Sequence, residues 1–150
     1  MKKKKLPEFI IHKGYNVPTG TTEEDKNQRR QIINDFYSKW SGENDEKKVK
    51  NNELKQFIHV NKLSKKHTRN YACNDFQSTL TVLELSYVLK HAVKVGYDNP
   101  KDNKCQEGFI KMLIMECVVP SLRPYVKTAK LIVGIIRCKD RKMQYCLTAK

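Results

Sequence analysis

The chain has 150 residues, a length that suits one domain with a buried core and leaves no room for a second full domain. Lysine and arginine number 30 against 16 acidic residues, so the formal net charge is +14 at neutral pH. A positive excess of this size repels itself unless salt or a polyanion screens it. Nucleic acid is the polyanion that we expect as the partner.

The sequence argues against membrane association and export. An anionic membrane surface requires a basic amphipathic helix or a lipidation signal, and the chain begins Met-Lys rather than Met-Gly. The opening MKKKK is followed by only three consecutive apolar residues before His12, which is too short for a signal peptide. No stretch approaches the roughly 20 apolar residues of a spanning helix. We therefore expect a cytoplasmic protein without a membrane partner.

Cysteine and histidine do not form a recognisable metal motif. The five cysteines are an odd number without a CxxC pair, and most of them lie in apolar runs, so we interpret them as reduced thiols. A zinc site needs paired ligands at short spacing, and the four histidines show no such grouping. We expect neither a metal nor another cofactor.

The first third of the chain predicts an arm, a helix and a connector. Residues 1–22 combine a lysine run with prolines and glycines and predict a basic irregular arm. A T-x-x-D capping box at Thr22 and apolar residues at helical spacing predict a helix over 23–40. The polar stretch 42–53 predicts a connector. Together these give a segment 23–53 that precedes the main domain.

The main domain is predicted over residues 54–150. Its first apolar residues fit either a short strand or a helical turn, and we predict a strand over 56–60. Ser64 then predicts the cap of a short helix, SKKHTRNYA. A second capping box, T-x-x-E from Thr81, predicts a helix over 82–92.

The last third of the chain changes from helical to extended periodicity. Three segments rich in apolar and β-branched residues predict antiparallel strands over 109–119, 128–138 and 143–149, with a hairpin turn at KDRK. The fold class is therefore α+β, with N-terminal helices packed on one face of a small antiparallel C-terminal β-sheet. The helices over 23–40 and 82–92 supply the apolar stripes for that face, and the other face is expected to be polar and partly open.

The densest group of cations lies where the strand over 56–60 passes into the next helix. Cleavage of an RNA backbone needs a group that accepts the 2′-hydroxyl proton, a group that protonates the leaving oxygen, and positive charge for the phosphorane. An imidazole among lysines supplies these without a metal. The alternative interpretation is a solvated basic turn with an ordinary surface histidine. The group consists of Lys62, Lys65, Lys66, His67 and Arg69.

A second candidate group starts the predicted central strand at V-K-T-A-K. Lys127, Thr128 and Lys130 lie there, and side-chain alternation puts Gln144 and Thr148 on one face of the last strand, which we assign to the open face. Lysines, hydroxyls and amides are the usual phosphate contacts, so these residues predict a phosphate-sized groove. Lysines at the start of a strand that only improve solubility are the alternative.

The quoted segments resemble a known superfamily. The runs SKKHTRNYA, TLTVLELSYVLKHA, DNPKDN, VKTAKLIVG and QYCLTA, within residues 54–149, are similar to the phage and mobile-element branch of the superfamily that groups barnase, EndoU, colicin ribonucleases and bacterial messenger-RNA-cleaving toxins. The resemblance implies helices packed on a four-stranded antiparallel sheet, with RNA across the open face and catalysis without metal. Residues 1–53 have no counterpart in it.

The resemblance also implies roles for individual residues. The helix histidine corresponds to His67 with Arg69 as its neighbour, the strand lysine to Lys127 or Lys130, and the final-strand hydroxyl to Thr148. The chain departs from the family in lacking an obvious glutamate as the base. Tyr71 is the aromatic residue that we expect to stack on a base. The further nucleic-acid-binding candidates are Lys62, Lys65, Lys66, Thr128 and Gln144.

The sequence therefore predicts a metal-independent endoribonuclease that leaves a 2′,3′-cyclic phosphate. A toxin of this kind has an antitoxin or immunity protein as its partner. The first alternative is a non-enzymatic nucleic-acid-binding accessory protein of a mobile element, with salt-sensitive binding and no cleavage. The second is a protein-binding adaptor that uses the apolar strands as an edge for strand addition.

Overall fold

The computed structural model describes residues 6–101, 106, 108–136 and 141–150. Within these residues the fold consists of a two-stranded hairpin, four α-helices and a six-stranded sheet. The MKKKK run, Cys105, Cys138 and the first half of the predicted KDRK turn lie outside the described residues. The helices are α1 Glu23–Glu43, α2 Lys62–Ala72, α3 Phe76–Val82 and α4 Leu85–His91, and the strands are β1 Phe9–His12, β2 Tyr15–Pro18, β3 Lys48–Asn51, β4 Gln56–His59, β5 Val93–Asp98, β6 Phe109–Cys117, β7 Ala129–Ile136 and β8 Lys142–Ala149.

The predicted α+β class is confirmed, but the sheet is larger than predicted. The strand order is β3-β4-β8-β7-β6-β5, and every neighbouring pair is antiparallel except β4 and β8, which are parallel. The strand over 56–60 and the three C-terminal strands are confirmed as β4, β6, β7 and β8. The additional strands are β3, which lies in the predicted connector, and β5, which follows α4 directly. The sheet is consequently mixed rather than purely antiparallel.

The prediction of an irregular arm is wrong for residues 9–18. These residues form the hairpin of β1 and β2, which pair in register from Phe9 with Pro18 to His12 with Tyr15. The two-residue turn uses Lys13 and Gly14, both with positive φ, a backbone that fits the twist of a tight hairpin. Glycine therefore connects two strands here instead of ending a regular structure.

The helix caps differ from the predicted ones after α1. Thr22 and Asp25 form the predicted capping box. In α2 the cap is Asn61, and Ser64 is the third helical residue that completes the box. The predicted box at Thr81 is wrong, because its hydroxyl donates to a carbonyl within α3, a helix that Asp75 caps. The predicted helix over 82–92 is replaced by α3 and α4.

The core lies between the sheet and the helices that follow β4. Helices α3 and α4 pack on one face of the sheet, which we call the covered face, α2 lies along the edge of β8 between the two faces, and α1 packs on α2, α3 and β2. Helix α1 was predicted to cover the sheet directly; instead it forms an outer layer, and its Tyr37 hydroxyl reaches β8 at Gln144. The largest completely buried side chains include Ile33, Ile58, Leu85, Leu89, Met115 and Leu131.

The opposite face of the sheet, the open face, carries a second apolar cluster. Its members are Phe109, Met112, Met143, Tyr145 and Cys146. The Phe109 ring lies directly over Gly134, where a Cβ atom would be 2.7 Å from the ring. The open face was expected to be polar, but this cluster, against which Leu63 of α2 packs, makes it partly apolar.

Candidate functional site

A cleft of about 420 Å³ lies on the open face of the sheet. Its floor includes Ile114, Ile132 and Cys146, which are aligned across β6, β7 and β8 and therefore share a face. Tyr71 of α2 forms one wall, and the segment that follows β5 forms the other. The volume falls within the roughly 300–1,000 Å³ that ligand pockets occupy. The cleft is the candidate functional site.

Lys130 and Thr148 form the polar end of this cleft. The two residues are directly opposite in the β7–β8 pairing, so an ammonium group and a hydroxyl are neighbours on the open face. Glu116 is opposite Lys130 on the other side, and its carboxylate forms an ion pair with Lys150 at 2.8 Å. Lys130 itself forms no ion pair within the described part of the chain. A cation and a hydroxyl are thus available to a phosphate.

His67 lies between two tyrosines beside the cleft. Leu63, His67 and Tyr71 are four residues apart on α2, so they form one stripe that faces the second apolar cluster. The imidazole centroid is 4.3 Å from that of Tyr145 and 6.4 Å from that of Tyr71, the latter nearly parallel. Both tyrosines line the cleft, whereas His67 lies behind them. Tyr71 is 58% exposed, as a stacking platform requires.

The His67 side chain is buried and lacks hydrogen bonds. It is 8% exposed, and neither ring nitrogen has a partner among the residues that the structure describes. Burial lowers the pKa of His67 below its ordinary value, and the charge of Lys66 lowers it further. The imidazole is therefore neutral at neutral pH and can accept a proton.

The lowered pKa of His67 predicts a pH dependence of stability. The unfolded chain binds a proton near pH 6.5 and the folded protein binds it only at lower pH. The neutral, buried His67 therefore contributes fully to the unfolding free energy above pH 6.5. That contribution is lost as the pH falls through the pKa of His67 in the folded protein. We expect urea unfolding of a His67→Phe protein to lack that loss. His91→Phe, at an exposed histidine, serves as the control, and an unchanged pH profile in His67→Phe contradicts the prediction.

Hydroxyl groups hold α2 and α3 along the edge of β8. Strand β4 pairs with β8 over only two residues, so most of that edge lacks a strand partner. The Ser64 hydroxyl donates to a β8 carbonyl, and the Thr68 oxygen accepts from the Leu147 N–H at 3.2 Å. The Ser78 oxygen accepts from the Ala149 N–H at 3.1 Å. These bonds replace a sheet ladder and fix the His67 and Tyr71 stripe beside the cleft.

The predicted position of Gln144 on the open face is wrong. A β-bulge at Tyr145 shifts the register, since Ile132 pairs with Cys146 and Val133 pairs with Gln144. Gln144 is therefore turned to the covered face, where it is 1% exposed and donates to Thr68 at 2.6 Å. Its amide holds the core together and is inaccessible to a ligand.

The structure does not bring Arg69 to His67. Two residues on a helix are separated by about 200°, so Arg69 faces α1, where its guanidinium donates to Asn34 at 3.2 Å. Lys62 and Lys66 are exposed and Lys65 is half-buried on α2. Because their spacing is i, i+3, i+4 and i+7, these four cations form one stripe of α2 that is turned away from His67 and Tyr71.

The first residues of the V-K-T-A-K group also lie outside the cleft. Lys127 is exposed on the bend before β7, and the Thr128 carbonyl accepts from the Lys150 N–H at 2.8 Å. Only Lys130 of this group lines the cleft. Of the two lysines that the sequence left as alternatives, the geometry therefore favours Lys130.

Several residues of the cleft were not predicted from the sequence. Asp98, Asn99, Lys101 and Gln106 line the wall opposite α2, and Tyr145 contributes its ring. Strand β5 positions this wall, because Asp98 is paired with an open-face residue of β6. The apolar residues of 93–98 alternate, which was a usable signal, but no element was predicted between the helix over 82–92 and the strand over 109–119.

Three described cysteines, Cys73, Cys117 and Cys146, are free and buried. Burial raises the pKa of the Cys146 thiol to about 11, so the cleft floor is uncharged at neutral pH. Within the described residues, no three His, Cys, Asp or Glu side chains are grouped to hold a metal ion. No helix in the same part of the chain combines the length and apolar character needed to cross a bilayer.

Comparisons of this chain with protein-family models, with curated proteins and with solved structures found no match.

Proposed function

We propose that the protein is a metal-independent endoribonuclease that cuts RNA by transesterification in the open-face cleft and leaves a 2′,3′-cyclic phosphate. The observation that carries the proposal is the pairing of Lys130 and Thr148 at the end of a cleft that also has an exposed aromatic wall. A cation and a hydroxyl bind a phosphate, and Tyr71 stacks on a base. The net charge of +14 attracts the polyanionic substrate.

Transesterification transfers two protons and increases the negative charge on the non-bridging oxygens of the phosphorane. The 2′-oxygen attacks the phosphorus after giving its proton to a base, and the bond to the 5′-oxygen breaks as that oxygen takes a proton. His67 is the base in this proposal, because its lowered pKa keeps it neutral. Lys130 stabilises the phosphorane charge, and the leaving oxygen takes its proton from Lys130 or from a water.

The role of His67 as the general base requires the Tyr71 ring to move. Both nitrogens of His67 are buried, so the tyrosine ring has to move aside before the imidazole can reach a 2′-hydroxyl. The Tyr71 side chain is 58% exposed and has room to move toward solvent. A nucleobase that stacks on the displaced Tyr71 ring brings its own ribose toward His67.

A non-enzymatic RNA-binding protein is the second candidate function. The burial of both His67 nitrogens favours the binding protein, because the cleft then offers a phosphate site and an aromatic wall but no accessible general base. The enzymatic candidate implies an antitoxin or immunity protein as a partner, whereas the binding candidate does not.

The test uses labelled RNA in EDTA with the wild type, His67→Phe and His91→Phe. Phenylalanine retains the ring packing of each histidine and removes its proton chemistry. His91 is a matched control because it also packs against a tyrosine, with its ring centroid 4.4 Å from that of Tyr87, and it does not line the cleft. The termini of any fragments are then identified.

Cyclic-phosphate fragments from the wild type and His91→Phe, but not from His67→Phe, are the expected result. Fragments from all three proteins support the nuclease and contradict the role of His67. Intact RNA with a salt-dependent mobility shift identifies the binding protein. Intact RNA without a shift contradicts both candidates.

A further inference from the structure

A cluster of lysines surrounds Tyr97 on the face of the sheet opposite the cleft. Tyr97 is paired with Leu113, a member of the main core, so its side chain lies on the covered face. Its neighbour Asp98 is paired with Met112 of the second apolar cluster and lines the cleft. Strand β5 is an edge of the sheet. Adjacent residues of this edge therefore belong to opposite faces.

The lysines contact the phenol ring and its oxygen. The Lys94 ammonium donates to the Tyr97 hydroxyl at 2.5 Å and is 4.3 Å from the ring centroid. The Lys111 ammonium is 4.0 Å from the same centroid. The hydrogen bond from Lys94 lowers the pKa of Tyr97, and the charges of Lys94, Lys111 and Lys142 act in the same direction. Tyr97 is half exposed, so the cluster is accessible from solvent.

No carboxylate in the described part of the chain compensates the positive charge of the cluster. Among the described residues, neither Lys94 nor Lys111 nor Lys142 forms an ion pair. The Glu53 carboxylate accepts from the backbone N–H of Lys94, not from its ammonium group.

Two further lysines in the described residues lie over aromatic rings and provide a contrast. Lys39 lies 5.4 Å from the Tyr15 centroid and pairs with Asp35 at 3.1 Å. Lys48 lies 4.4 Å from the ring centroid of a phenylalanine and pairs with Glu46 at 3.3 Å. Among the described ring-bound lysines, those outside the Tyr97 cluster thus pair with a carboxylate, and those around Tyr97 do not. The cluster therefore offers positive charge to an anion from outside.

We propose that the Tyr97 cluster binds backbone phosphates of a single-stranded RNA whose other end occupies the cleft. The RNA passes around the β5 edge from the face of Asp98 to the face of Tyr97, and no described strand pairs with that edge. The inference rests on the proposed function, because it extends the same RNA beyond the cleft. It makes the affinity depend on RNA length, since a short RNA fills the cleft without reaching the cluster.

The experiment compares a trinucleotide with a single strand of about 12 nucleotides, within the usual range of single-strand site sizes. Both RNAs carry 2′-O-methyl groups, which remove the attacking hydroxyl and prevent cleavage. The variants are the double mutants Lys94→Gln/Lys111→Gln and Lys39→Gln/Lys48→Gln. The second pair is the matched control, because it removes equal charge from ring-bound lysines outside the cluster. Fluorescence anisotropy gives the affinity over a series of salt concentrations.

We expect the Lys94→Gln/Lys111→Gln protein to bind the longer RNA about tenfold more weakly, with the salt slope reduced by about 1.4, or roughly 0.7 for each lost phosphate contact. Its affinity for the trinucleotide and both affinities of the control stay unchanged. Equal losses of affinity in the two variants, or no loss in either, contradict the role of the Tyr97 cluster and leave the proposed function standing. So does a wild type that binds both lengths equally. A wild type that binds neither RNA contradicts the proposed function itself.

Discussion

A Lys130→Ala protein is expected to cleave RNA about 10²- to 10³-fold more slowly than the wild type, the range found when one group that stabilises a transition-state oxyanion is removed. Lys130 lies opposite Thr148 at the end of the cleft, and no carboxylate in the described residues pairs with its ammonium group. Its charge acts on the phosphorane more than on the bound RNA. The fall in kcat should therefore exceed the rise in KM, which steady-state cleavage of a labelled oligoribonucleotide measures.

The matched control is Lys127→Ala. Lys127 precedes Lys130 by three residues, is exposed and does not line the cleft, so its replacement removes the same charge at a different place. We expect its kcat to stay within about twofold of the wild-type value, with a small change in the salt dependence of binding. Equal losses in the two proteins mean that general charge, not the cleft, drives cleavage. Unfolding midpoints of both proteins verify that the fold is intact.

Most of the elements that the sequence predicted correctly have a strong local signal. Helix α1 has a capping box and apolar residues at helical spacing, β6 and β7 are long and rich in apolar and β-branched residues, and β8 is long and mostly apolar. Strand β5 was missed although its apolar residues, Val93, Val95 and Tyr97, alternate; all three are exposed, so their pattern does not mark a buried face. A short edge strand depends on its partner more than on its own pattern.

The cleft was predictable only in part. The alignment of Lys130 with Thr148 follows from two adjacent antiparallel strands, so it was within reach of the sequence. The position of Gln144 was not, because a bulge of one residue reverses every assignment on one side of it. The contact of His67 with Tyr145 depends on that same bulge and on α2 filling the gap beside β8. The positions of His67, Tyr145 and Gln144 therefore depend on long-range packing and not on the local sequence pattern.

The separation of Arg69 from His67 has a simpler origin. Residues two apart on a helix face nearly opposite directions, so the two side chains could not serve one phosphate once α2 was predicted to be helical. Proximity in sequence suggested a cluster that helical geometry excludes. The helix position that does share a face with His67 is four residues later, at Tyr71.

An Arg29→Met protein is expected to lose about 3 to 5 kcal/mol of unfolding free energy, the largest stability effect that we predict. The Arg29 guanidinium is completely buried and donates to the carbonyls of Cys73 at 2.8 Å, Pro18 at 2.8 Å and Gly20 at 2.7 Å. Burial lowers its pKa, but the guanidinium remains charged at neutral pH. Methionine fills similar space and leaves these buried carbonyls without donors, so their desolvation is no longer offset.

Arg30→Met, at the next residue, separates this effect from a general loss of charge. Arg30 is half-buried and donates to Asn27 on the surface, so we expect a change within about 0.5 kcal/mol. Urea unfolding at neutral pH measures both proteins. A loss below about 1 kcal/mol in Arg29→Met contradicts the role assigned to the buried hydrogen bonds. Because these bonds join the β2 end to the end of α2, the weaker fold should also loosen the Tyr71 wall and reduce RNA affinity before global unfolding.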